Sequence, residues 1–296
     1  MQPNPNLNKL MHRIFALTVF VLIAALIQHC CFANNSGSGR MNVLLIAVDD
    51  LRPDLGCYGN EQIHSPHLDR LATSGLLFRN AYCQQAVCNP SRTSLMTGLR
   101  PDTIGVTGNH IHFRSNQPRV VTLPQHFKHH GYHAVAVGKL YHGVFPAGSS
   151  KTKWDTMGDP ESWSEPAIRF GPRYYHTEEG IKSAKEAFLR SYRPSNPGPD
   201  DWTRKLVFGL ATEAPDVADN ILYDGKVADA AIAKLGQLKD KGKPFFLGVG
   251  FIKPHSPYIA PKKYFDLYHN IKIAKQQRLP VGAPRFAGHQ YFFGAM

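Results

Sequence analysis

The chain has 296 residues, 43% hydrophobic and 19% charged, which gives enough apolar side chain for a sizeable core and excludes a disordered polymer. Its 34 lysines and arginines outnumber 22 acids for a formal charge of +12, favouring anionic partners: nucleic acid, acidic polysaccharide or a membrane surface. The positive residues are spread along the chain, without the basic runs and interleaved aromatics of nucleic-acid modules, which argues against nucleic acid.

The N-terminus reads as a targeting segment. Lys9, His12 and Arg13 precede an apolar run over residues 14–27, short for a membrane span, and Cys31-Phe32-Ala33 offers small residues at a cleavage site. Residues 1–33 are therefore a predicted secretory signal, with an uncleaved anchor as the rival, and the mature chain is secreted or periplasmic with no stable span. Losing Lys9 and Arg13 and no acid leaves the mature chain at +10. Residues 34–40 are a Gly/Ser/Asn linker of the flexible type, and 41–296 form one α/β domain. Of five cysteines, Cys30 and Cys31 lie in the signal, and Cys57, Cys83 and Cys88 remain. An odd number in an exported protein hints at one held out of disulfides, whether Cys57 and Cys83 pair or stay free.

Residues 42–48 are a continuous apolar run rich in β-branched side chains, which predicts a strand buried on both faces of a parallel sheet. It ends in Asp49-Asp50, at the carboxyl edge where open α/β folds place ligands. Adjacent carboxylates repel unless a cation joins them, and hard cations such as Ca²⁺ or Mg²⁺ want their oxygens; a solvated turn is the plain alternative. Ser65 as cap, Pro66 in the first turn and Gly75 as stop predict a helix, followed by a short strand over 76–82. The run Ala86-Val87-Cys88-Asn89-Pro90-Ser91-Arg92 then places Cys88 at the start of a helix that Gly98 closes. There the helix dipole and Arg92, one turn on, favour an anion, either a thiolate or a bound oxyanion; a buried structural cysteine is the alternative.

Residues 122–130 predict a capped helix and 132–137 a strand, after which Lys139 and His142 emerge at a carboxyl edge. His126, His129, His130 and His133 suggest zinc only weakly, because no acid or cysteine lies near in sequence. Residues 143–221 are rich in Pro, Gly, Trp and Tyr, with a helix near 181–191. They are too long for a plain connector and read as a substrate-facing insertion, with Trp154, Trp163 and Tyr174 as candidate sugar-stacking residues. A helix over 224–242, with Val227, Ala231, Leu235 and Leu238 on one face, leads to a buried strand over 245–251 that delivers Lys253-Pro254-His255.

Cys-x-Pro-Ser-Arg followed by an apolar pair and Thr-Gly resembles the signature of the formylglycine-dependent sulfatases, in which the cysteine becomes formylglycine after translation. The opening Asp49-Asp50-Leu51-Arg52-Pro53 with Gly56-Cys57-Tyr58-Gly59, the Gly138-Lys139 and Tyr141-His142 pairs, and Lys253-Pro254-His255 resemble the iduronate-2-sulfatase-like subgroup. Asn89 departs from the small residue common in the motif, and Ala134 from the usual Ser or Thr. The resemblance implies an alkaline-phosphatase-like α/β core with a mixed, largely parallel sheet between helices. It implies hydrolysis of sulfate esters on a sugar or polysaccharide, a modifying maturase as partner, and bound calcium. It assigns Cys88, Arg92, Lys139, His142 and His255 to catalysis, Lys139, Lys253 and His255 to substrate, and Asp49, Asp50 and residue 88 to metal. The family's downstream Asp-His or Asp-Asn ligands have no counterpart after Tyr258, so the expectation is an N-terminal portion truncated before its C-terminal part. An inactive product that at most binds polyanions is the alternative function.

Overall fold

The computed structural model describes residues 39–143, 158–170, 175–191 and 209–271. One compact unit spans Leu44–Met296, and the other, Met1–Val43, is described only from Gly39. The expected signal, most of the linker, Trp154 and Tyr174 lie outside the described residues.

The strands are β1 (Val43–Val48), β2 (His133–Gly138), β3 (Thr212–Glu213), β4 (Phe245–Phe251) and β5 (Tyr258–Ile259). The helices are α1 (Pro66–Ser74), α2 (Cys88–Thr97), α3 (Pro101–Ile104), α4 (Phe113–Asn116), α5 (Leu123–His129), α6 (Glu178–Ser191), α7 (Tyr223–Asp240) and α8 (Lys262–Phe265). The main described sheet has the order β1-β4-β2, with β2 and β4 parallel in the register His133 to Phe245 through Gly138 to Gly250. A second, two-stranded parallel sheet pairs β3 with β5.

Burial explains why β4 is apolar without alternation: six of its seven residues are buried, because helices cover both faces. On one face Leu247 and Val249 join Val135 and Val137 of β2 against Val227, Ala231 and Leu238 of α7. On the other, Phe127 of α5 stacks on Phe246 at 4.9 Å between ring centroids. Each buried Val, Leu or Phe among them contributes about 1.5–3 kcal/mol of transfer free energy. Helix α5 begins with a reciprocal capping box between Thr122 and Gln125, as its sequence promised.

Four expectations change. Strand β1 is not buried on both faces: it is an edge of the described sheet, and Leu44 and Ile46 are 47% and 52% exposed. Residues 76–82 form no strand. No neighbouring strand offers them a ladder among the described residues, and Leu76, Phe78 and Tyr82 are exposed. Ser65 precedes α1 but does not cap it; its hydroxyl accepts from the Gly56 amide and donates to Asp69, tying the preceding loop to the helix. Trp163 is not available for stacking a sugar, being buried against Tyr141 and Phe246.

Candidate active site

Three strand ends meet at the carboxyl edge of the sheet, and two glycines bring them together. Gly138 has φ of 78°, a left-handed conformation that turns the chain sharply out of β2. A Cβ on Gly138 would lie 2.2 Å from the Gly250 carbonyl oxygen, and one on Gly250 would lie 1.9 Å from that of Lys139. Only glycine at both places lets the Lys139 amide donate to the Gly250 carbonyl at 2.8 Å. From the third strand the Asp49 amide donates to the Phe251 carbonyl at 3.1 Å. The next residue, Asp50, is exposed and takes a left-handed φ of 57°, a conformation Asp tolerates better than most residues.

Cys88 opens α2, with Val87 as the extended residue before it and Gly98, at φ of 69°, closing the helix. Asn89 fixes this start. Its side-chain amide donates to the carbonyls of Gly108 and Ile111 at 3.0 and 2.8 Å, and its backbone N–H donates to Asn109 Oδ1 at 3.0 Å. The departure from the family motif thus has a structural use, since a small side chain could not reach those carbonyls.

Arg92 holds the centre. Its Nη1 donates to the Lys139 and Leu140 carbonyls at 2.6 and 3.1 Å, and its Nη2 pairs with Asp49 Oδ1 at 3.1 Å. The Lys139 ammonium donates to the other oxygen of Asp49, and all three side chains are buried. Burial alone would raise the Asp49 carboxyl, but Arg92 and Lys139 outweigh it and hold the group below the ordinary carboxylate range. The Cys88 thiol moves the other way, raised by burial and by the negative charge of Asp49. At neutral pH it is a thiol, and the thiolate open to it from sequence is not the form this site favours.

His142 has a buried Nδ1 with no hydrogen-bond partner among the described residues, and burial, with Lys139 and Arg92 nearby, pushes its pKa down to about 4. It is a neutral imidazole at physiological pH. Lys253 donates from its ammonium to the His255 carbonyl at 2.9 Å and to that of Pro257, so it braces the loop carrying His255. Burial lowers its pKa to about 8. Sequence reasoning missed Asp224, whose carboxylate oxygens accept the Ile252 and Lys253 backbone N–H groups at 2.8 and 2.7 Å. An acid at the start of a helix gives only its favourable place in the dipole; the strand end it clamps lies 28 residues on.

Asp49, Cys88 and His255 offer a carboxylate oxygen, a sulfur and an imidazole nitrogen within 4.8 Å of one another. It is the one cluster of three such groups among the described residues, so His126 and His130, whose rings lie 4.3 Å apart, gain no third partner. Asp50 is outside this cluster, and Asp54 and Asp102 are exposed, with their carboxylates on Arg52 and Arg100. Calcium takes about six to eight oxygens. The described residues do not amount to such a site: both oxygens of Asp49 already face protein cations, and the other clustered donors are sulfur and nitrogen.

Residues 41–280 match the family described as Sulfatase. The chain belongs to the sulfatase family. It is 39% identical over 255 residues to human iduronate 2-sulfatase, covering 86% of this chain and 42% of that protein. Thus it spans less than half the length of that relative. A phosphonate monoester hydrolase from Silicibacter pomeroyi superposes with a TM-score of 0.57 at 23% identity, over 81% of this sulfatase chain and 47% of the other. A protein solved with its substrate D-glucosamine-2-N,6-O-disulfate superposes with a TM-score of 0.52 at 22% identity, over 80% of this chain and 39% of the other. These likenesses give the alkaline-phosphatase-like fold, on which more than one chemistry is carried. Among the described residues no helix is long and apolar enough to cross a membrane.

Proposed function

We propose that the centre at Cys88 serves the hydrolysis of sulfate esters on a sugar or polysaccharide, with residue 88 converted to formylglycine by a maturase. The observation that carries this reading is a cysteine at a helix start, among Arg92, Lys139 and His255, whose surroundings suppress the thiolate. A native cysteine nucleophile would want the opposite shift. The iduronate 2-sulfatase likeness supports a sulfated sugar as substrate, and the exported localisation expected from residues 1–33 suits an extracellular polyanion.

Formylglycine at residue 88 would supply, as its hydrate, one oxygen for attack on the ester sulfur as the S–O bond to the alcohol breaks, and a second hydroxyl whose deprotonation would expel sulfate and restore the aldehyde. The chain's own residues have separable tasks. Arg92 and Lys139 orient the sulfate oxygens and stabilise the charge gathering on them. His142, neutral at pH 7, accepts a proton, and His255 returns one to the leaving alcohol. Lys253 and Asp224 hold the His255 loop in register, and Lys253 lends positive charge toward the substrate. Calcium is part of the family expectation, but the described donors do not complete its site, and no step above depends on it.

The test is the mass of the Cys88 peptide after co-expression with a formylglycine-generating enzyme. The thiol-to-aldehyde loss is expected, with Cys88→Ser abolishing any aryl-sulfate turnover. An intact thiol under those conditions removes the nucleophile. The rival, an inactive polyanion binder, draws support from Arg92 and Lys139 both engaging Asp49; it requires sulfate binding with no turnover even after conversion.

A further inference from the structure

We infer that Lys139 is a built-in counter-ion at Asp49, set where a divalent cation would sit, so that the chain suppresses cation binding at this carboxylate through its own ammonium. The inference shares its site with the proposed function but needs neither conversion of Cys88 nor turnover.

Four observations carry it. Lys139 cannot choose its place freely: its amide is fixed to the Gly250 carbonyl and its own carbonyl to Arg92. From there its side chain, 9% exposed, ends on Asp49 Oδ2, the only side-chain hydrogen bond its ammonium makes among the described residues. The opposite oxygen, Oδ1, is taken by Arg92, so neither carboxylate oxygen is left for a metal without displacing a cation. Finally, among the described residues the neighbours offer no compensation. Lys253 adds positive charge, Asp50 is exposed, and Cys88 and His255 are donors poorly matched to a hard ion.

Charge decides the competition. Arg92 and Lys139 outnumber the single carboxylate of Asp49 between them, and a doubly charged ion entering this group is repelled by both protein cations while gaining one carboxylate. A displaced Lys139 would remain buried and unpaired, which is costly. Removing that one charge leaves Asp49 facing a single cation and frees an oxygen.

The experiment is a calcium chloride titration of the full chain by calorimetry, wild type against Lys139→Met and Lys139→Arg. Affinity at least about tenfold tighter is expected for the methionine variant, within the range of close charge-pair couplings. The arginine variant should match wild type, and Asp49→Asn on the Lys139→Met background should lose the gain. If Lys139→Met does not fold, Lys139→Gln replaces it with the same expectation. On wild type, saturating calcium should raise the acetylation rate of Lys139, read by peptide mass spectrometry. No gain in the neutral variant, an equal gain in the arginine variant, or calcium binding that leaves Lys139 labelling unchanged overturns the inference. Full aryl-sulfate turnover by converted Lys139→Met with the affinity gain intact would instead count against the role of Lys139 in the proposed function alone.

Discussion

Replacing Arg92 by methionine should cost about 3–5 kcal/mol of stability, the usual effect of removing one partner of a buried ion pair. The side chains of Arg92 and Asp49 are 8% and 5% exposed, so little solvent screening discounts that figure. Two carbonyls, of Lys139 and Leu140, lose their guanidinium donor at the same stroke, which pushes the value to the upper part of the range. In a domain of this size about 4 kcal/mol corresponds to a fall in Tm of about 8–16 °C. The assay is urea unfolding followed by circular dichroism, run as a cycle with Asp49→Asn. Asp49→Asn alone should cost at least as much, because it leaves the buried Arg92 and Lys139 without their shared carboxylate. The double variant should be more stable than the two single losses predict by at least about 1 kcal/mol, since it no longer buries an underpaired carboxylate. A loss under about 1 kcal/mol for Arg92→Met, or additive losses in the cycle, would refute the reasoning.

His142 has a folded pKa of about 4 against an ordinary value of 6.5, so the unfolded chain binds the extra proton between those values. The associated stability is fully present above pH 6.5 and is lost as pH falls through 4. Urea midpoints at pH 7 and 4.5 should differ more in wild type than in His142→Gln, and equal differences would count against a buried neutral imidazole. Asn89→Ala removes two donated hydrogen bonds at the start of α2 and should cost about 1–3 kcal/mol. An unchanged Tm would mean that the turn at residues 108–111 does not depend on Asn89. Gly250→Ala would set a methyl 1.9 Å from the Lys139 carbonyl oxygen, so β2 and β4 must part at that end. Markedly faster amide exchange at Lys139 is expected, and native protection would show that the strand ends can give.

Much of the fold was legible because long runs of one residue type leave a strand or helix few choices. The apolar run of β4 and the face of α7 bearing Val227, Ala231 and Leu238 were read correctly, since both are buried by elements that their own patterns imply. The run over β1 looked the same in sequence, but its surroundings differ. A strand's exposure depends on what packs over it, and nothing in residues 43–48 encodes that. Residues 76–82 failed for a related reason, since β-propensity describes fit to a neighbouring strand and none is there among the described residues.

The site was legible in its members and not in its pairings. Adjacent acids at a strand end favour positive charge nearby or open a solvated turn, and Asp49-Asp50 alone leaves both readings open. Whether the charge is a metal or a side chain depends on which residues the sheet brings alongside. Lys139 reaches Asp49 from 90 residues away, because Gly138 and Gly250 allow β2 and β4 to close at their ends. No window of sequence containing the acids contains that lysine. The glycines were visible as residues, yet their meaning lies in a contact between two strands, so neither the choice between a cation and a solvated turn nor the source of the cation could be read.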